Sequence, residues 1–225
     1  MPSNQATPAL TSNDTPTIQP TSQSPAKQAA PELSYNSHVI VAKYVSPPIH
    51  EIVGTSNPSA KESNPKRIAI CIDEGSESQF ALTWALEHLT DIEPSHSHDT
   101  VEFILLNVRP FAVPEYFIHP SKHVPSAATD LDEEYVETVE TFNKEKSHDI
   151  LMSSASKVSA KGFAYKAIAL RGDPRQEILK AVQTIKADCL VTGSRGLEET
   201  SFRGSLSDYL VHNATCAVIV PKICV

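Results

Sequence analysis

Between Val191 and Ser207 the chain reads VTGSRGLEETSFRGSLS, with three glycines, two arginines and a run of hydroxyl side chains between an apolar strand pattern and a helix start. Glycines let a backbone come close to a ligand and adopt positive φ. The N–H groups that open a helix are unpaired donors and favour an anion. That chemistry suits the phosphates of a nucleotide. A glycine-bearing surface loop with no ligand has the same composition, so these residues alone leave both readings open. Other chemistries lack their residues. The chain has no G-x4-G-K-[ST] loop and no G-x-G-x-x-G turn. It has no G-x-S-x-G elbow for a serine hydrolase. DEGSES (73–78) lacks the glycine pair of the SGGxDS pyrophosphatase motif. His96-x-His98 and His119-x3-His123 stand without the acids of a zinc site and read as loop histidines, so no metal site is expected.

The elements that must position the glycine segment alternate from Arg67 onward. RIAICID (67–73), VEFILLNV (101–108), FAYKAIAL (163–170), ADCLVTG (187–193) and CAVIVPK (216–222) read as strands. Ser76 and Gln79 form a capping box before a helix with Leu82, Ala85, Leu86 and Leu89 on one stripe. Leu131, Tyr135, Val139 and Phe142 share helical spacing in a second helix that runs to Gly162. It follows a long loop, 110–130, with four prolines. Asp173 caps a third helix with Pro174 at its first position and Ile178, Leu179, Val182 and Ile185 inward. A fourth helix follows Gly204. Five β-runs with helices and no hairpin signal between them predict an α/β fold, a mainly parallel sheet covered on both faces. Ligands of such sheets bind beyond the carboxyl ends of the strands, where the strand order reverses. Asp73, Val108 and Gly193 all lie at carboxyl ends.

The front of the chain is different. Residues 1–66 hold ten of the 17 prolines, one glycine and no arginine, and are expected to be a disordered Ser/Thr/Pro-rich extension. HVIVAKYV (38–45) breaks that texture as a short strand or docking peptide, followed by a proline-punctuated linker up to residue 66. Thr7-Pro8, Thr15-Pro16, Ser24-Pro25 and Ser46-Pro47 would suit a proline-directed kinase, so a kinase or partner protein is expected at this tail. The net charge of −8 falls wholly on residues 67–225, which argues against nucleic acid as a partner. No apolar run reaches membrane-spanning length and no leader pattern stands at the start. The expectation is a cytoplasmic protein, with the nucleus also open. Cys71, Cys189 and Cys216, within or beside strands, read as free thiols.

RIAICID, SESQFALTWAL, ILLNV, RGDP, ADCLVTGSRG and GSLSDYLVHNATCAVIVPK, taken in order over residues 67–222, resemble the universal stress protein family of UspA type. The resemblance implies a universal stress protein domain over 67–225 with a five-stranded parallel sheet in the order 3-2-1-4-5. Its fold would be Rossmann-like, of the adenine nucleotide alpha-hydrolase type. It also implies a homodimer through the last strand (216–222), and the first reading is a non-enzymatic module for stress response or signalling, with weak ATP hydrolysis or autophosphorylation left open. The cofactor would be ATP or AMP, with or without Mg2+. The nucleoside side would fall on Ile72, Asp73 and Val108. The phosphate side would fall on Gly193, Ser194, Arg195, Gly196, Gly204, Ser205, Leu206 and Ser207. The family's ATP-binding pattern is G-x2-G-x9-G-[ST], and here the spacer Leu197–Arg203 has seven residues. Two fewer residues remove about 7 Å of reach. Two alternatives follow: a nucleotide-free dimeric scaffold whose shortened loop has lost its ligand, or a slow ATPase using Glu198 or Glu199.

Overall fold

Runs of apolar and β-branched residues produce six strands among the described residues. They are β1 (His50–Ser56), β2 (Lys66–Cys71), β3 (Val101–Arg109), β4 (Ala164–Arg171), β5 (Cys189–Val191) and β6 (Ala217–Ile219). They form one sheet in the order β1-β4-β3-β2-β5-β6. Apart from β1, every neighbouring pair is parallel, and these five strands alone run 3-2-1-4-5, as expected. The computed structural model describes residue 43 and residues 50–56, 65–90, 101–118, 130–194 and 206–222. All belong to the unit Pro31–Val225. The tail before residue 43 lies outside them.

The sixth strand corrects the linker reading. β1 pairs antiparallel with β4 from His50↔Leu170 to Ser56↔Tyr165, with a bulge between Ile52 and Gly54. Prolines 47, 48 and 58 bracket this strand instead of interrupting it, and the bulge breaks the strict alternation by which a strand is read from sequence. Of the run 38–45, only Lys43 is described. It is helical, and its ammonium lies 2.7 Å from Glu133 Oε1.

The helices are α1 (Ser76–His88), α2 (Glu115–Ile118), α3 (Glu133–Ala160), α4 (Pro174–Ile185) and α5 (Leu206–Asn213). Parallel strands buried on both faces need two apolar layers. On one face Ile68, Ile70, Phe103 and Leu105 pack with Ala81, Leu82 and Ala85 of α1 and Leu151, Ala155 and Val158 of α3. On the other, Ala69, Ile104 and Leu106 pack with Ile178 and Val182 of α4 and Leu210 of α5.

Asp173 caps α4 as read, its Oδ1 accepting the Arg175 N–H at 3.0 Å. α1 departs from the capping-box reading. Its N-cap is Gly75, whose N–H is held by Asp73 Oδ1 at 2.8 Å, while Gln79 turns toward Lys157, which donates to it at 2.7 Å. α3 begins after Asp132, not at Leu131, and Tyr135 and Phe142 face solvent at 61% and 62% exposure. Leu131 and Val139 do pack inward, with Val136, against Ala112, Val113 and Phe117, and the buried stripe of the helix runs on through Ser147, Leu151, Ser154, Ala155 and Val158. The error has a simple cause. Serines buried at 2% and 0% exposure carry part of that stripe and are invisible to an apolar count.

Candidate functional site

Strand order reverses at β2. The chain leaves it toward β3 and β4 and returns on its other side through β5 and β6, so the carboxyl ends of β2, β3 and β5 lie together at the switch point, where open sheets of this kind form their ligand crevice. The register places them side by side, with Cys71 opposite Leu106 and Ile70 opposite Val191. Thr192 fastens the β5 end. Its N–H donates to the Ile219 carbonyl at 3.0 Å, and its side chain bonds the Cys71 thiol. Burial pushes that thiol up to about 12, so Cys71 is a packing group and not a nucleophile.

Gly193 lies against the first turn of α1. A Cβ added there would stand 2.6 Å from the Glu77 carbonyl carbon and 2.9 Å from the Ser78 nitrogen. Close backbone approach therefore requires this glycine, and the approach brings the β5 end onto the helix start that follows Asp73. Asp73 sits in a tight turn. Its N–H donates to Ser78 Oγ at 3.1 Å, its carbonyl accepts the Ser78 hydroxyl at 3.0 Å, and its carboxylate holds Gly75. The turn-capping role open to an acid at this position is thus filled. A carboxylate accepts several bonds at once, so the same geometry also orients it.

Val108 ends the apolar part of β3, half-buried against the α4 and α5 face. Next to it, the Asn107 amide donates to the Ile72 carbonyl at 2.7 Å and accepts the Ser147 hydroxyl at 2.6 Å. Ser194 directs its hydroxyl to the Pro221 carbonyl at 3.4 Å, tying the start of the glycine segment to the chain just past β6. Leu206 and Ser207 open α5, with Ser207 buried at 9% exposure. Arg195, Gly196, Gly204 and Ser205 lie outside the described residues. Ile72, Asp73, Val108, Gly193 and Ser194 are therefore grouped at one end of the sheet, with Leu206 and Ser207 at the head of the helix that leads into β6.

Three features of the rim were not among the sequence candidates. Asn107 carried a signal, being a carboxamide at the end of a buried apolar run. Ser78 and Ser147 carried none, since each is one polar residue in a polar helix segment. Beyond Val108, Arg109 and Arg171 are register partners on β3 and β4, and both bond Glu140 Oε1 of α3, Arg171 at 2.8 Å. All three side chains are at most 14% exposed, and Arg171 also covers the Phe111 ring at 5.6 Å. This shared contact fastens α3 across the ends of both strands. No group of three or more metal-ligating side chains occurs among the described residues.

A family model described as Universal stress protein family matches residues 64–222. Universal stress protein PHOS32 of Arabidopsis thaliana is 28% identical over 167 residues, covering 70% of this chain and 64% of that protein. The chain thus spans less than two thirds of the length of that relative. Among solved structures, universal stress protein UspA from Lactobacillus plantarum has 20% identity and a TM-score of 0.50, covering 71% of this chain and 99% of that one. An Arabidopsis thaliana universal stress protein family protein, crystallised with AMP bound, has 22% identity and a TM-score of 0.49, covering 70% and 92%. At these identities the structural likeness is one of fold.

Proposed function

The chain belongs to the universal stress protein family, and from that premise we propose that the crevice bordered by β2, β3 and β5 binds an adenine nucleotide, AMP or ATP. The observation that carries this reading is the seating of Gly193 on the first turn of α1. It joins the start of the glycine segment to Asp73 at the point where strand order reverses. In this reading Ile72, Asp73 and Val108 take the nucleoside, with Asp73 accepting from ribose hydroxyls. Gly193, Ser194, Arg195, Gly196, Gly204, Ser205, Leu206 and Ser207 take the phosphates, using N–H groups that open α5. Mg2+ would accompany ATP. The protein works without catalysis, as a homodimer through residues 216–222, in the cytoplasm or nucleus, with the tail engaging a kinase or partner in stress response or signalling.

Thermal unfolding in 1 mM AMP, the nucleotide of the crystallised relative, tests the reading. A ligand at about 100 times its Kd adds about 2.7 kcal/mol. For a chain of this length that is a rise of about 5–10 °C in Tm. Gly204→Asp, which puts a side chain and a negative charge where phosphate would sit, is expected to abolish the rise. No rise with AMP or ATP would leave the second reading, a nucleotide-free dimeric scaffold. The seven-residue spacer and the Ser194 hydroxyl engaged by Pro221 favour that scaffold.

A further inference from the structure

In a parallel pair of strands, alternate residues turn both N–H and C=O toward the same neighbour. The Ile72 N–H donates to the Leu106 carbonyl at 2.8 Å, so Leu106 and Val108 face β2. Arg109 faces the other way, its carbonyl accepting the Gly172 N–H at 3.0 Å. The next rung of a regular ladder would be the Val108 N–H donating to the Ile72 carbonyl. That carbonyl is taken instead by the Asn107 amide at 2.7 Å, and the β2–β3 register stops at Cys71↔Leu106. Among the described residues no backbone bond joins Val108 to Ile72. Ser147 donates to Asn107 Oδ1 at 2.6 Å, which fixes the amide with its NH2 toward Ile72. Asn107 and Ser147 are 5% and 2% exposed, so water does not compete for either bond.

We propose that Asn107 is a positioning residue: by taking the Ile72 carbonyl out of the β2–β3 ladder, it leaves the Val108 N–H and C=O turned toward the crevice, where the edge of an adenine base pairs with them. One donor beside one acceptor matches the ring-nitrogen acceptor and exocyclic amine donor of adenine. Guanine presents a donor and an acceptor in the reverse order and is rejected. The proposal rests on the nucleotide reading above and adds the group that holds the base subsite open.

Amide hydrogen exchange at Val108, measured by NMR on the full chain, separates the two. In the free wild type the Val108 amide is expected to exchange at least tenfold faster than that of Leu106, and AMP to slow it at least tenfold. Asn107→Leu with Ser147→Ala leaves no buried hydroxyl without a partner and lets the rung close. Val108 is then protected without ligand, AMP affinity falls at least tenfold and the preference for AMP over GMP falls toward one. Affinity for ribose 5-phosphate stays within twofold. Asn107→Asp removes the donor while keeping the shape and is expected to lose the same preference, should the double variant not fold. A protected Val108 amide in the free wild type overturns the proposal. So does a folded double variant that keeps wild-type AMP affinity and base preference, and that result leaves the nucleotide reading standing. A fast-exchanging Val108 that ignores AMP in the wild type overturns the nucleotide reading and the base-edge role with it.

Discussion

Gly193 illustrates how one residue answers to packing before it answers to a ligand. Any side chain at this position meets the backbone of Glu77 and Ser78 inside 3 Å, and backbone cannot swing aside as a side chain can. Gly193→Ala is therefore expected to cost about 1–3 kcal/mol of stability even with no nucleotide present. Urea unfolding of the free protein checks this, and an unchanged midpoint would refute the contact. The glycine was legible in the sequence but its reason was not, because Glu77 lies more than a hundred positions away and offers only its backbone. The same holds for Asn107, whose partners Ile72 and Ser147 are 35 and 40 positions distant. Chemistry assembled by long-range contact leaves at most one odd residue in a local pattern.

Elements were easier to read than their edges. The five parallel strands announced themselves because burial on both faces demands continuous apolar runs, and alternation with helices then set the topology. β1 escaped because an edge strand has one covered side, a bulge and flanking prolines. It nonetheless protects the fold. It covers the β4 edge over six register pairs, places Val53 on the core, and is held to α3 by Glu51, which lies 3.3 Å from Lys144. An uncovered edge strand is a template for association. A chain lacking residues 1–56 is expected to lose about 2 kcal/mol, the burial of one Val-sized side chain. It is also expected to aggregate with rising concentration, which light scattering at fixed ionic strength would detect. A truncated chain that stays monodisperse and as stable as the whole would contradict this role for β1.

At the scale of the molecule, the covered β4 side leaves β6 as the other end of the sheet. The Thr192 N–H bonds the Ile219 carbonyl, so Ala217 and Ile219 face β5, and Val218 turns its N–H and C=O outward. If dimers form through this strand, Val218→Pro removes an outward donor while sparing the β5–β6 ladder. The expected result is a folded monomer in sedimentation, against a wild-type dimer. A dimer that survives the substitution would place the interface elsewhere.

The central claim, that an adenine nucleotide occupies the crevice where strand order reverses, is tested most directly by calorimetric titration of the nucleotide-free chain with AMP. The account expects saturable binding of one AMP per chain, with GMP weaker and Gly204→Asp silent. No saturable heat up to millimolar AMP, or equal binding by the Gly204→Asp chain, would contradict it.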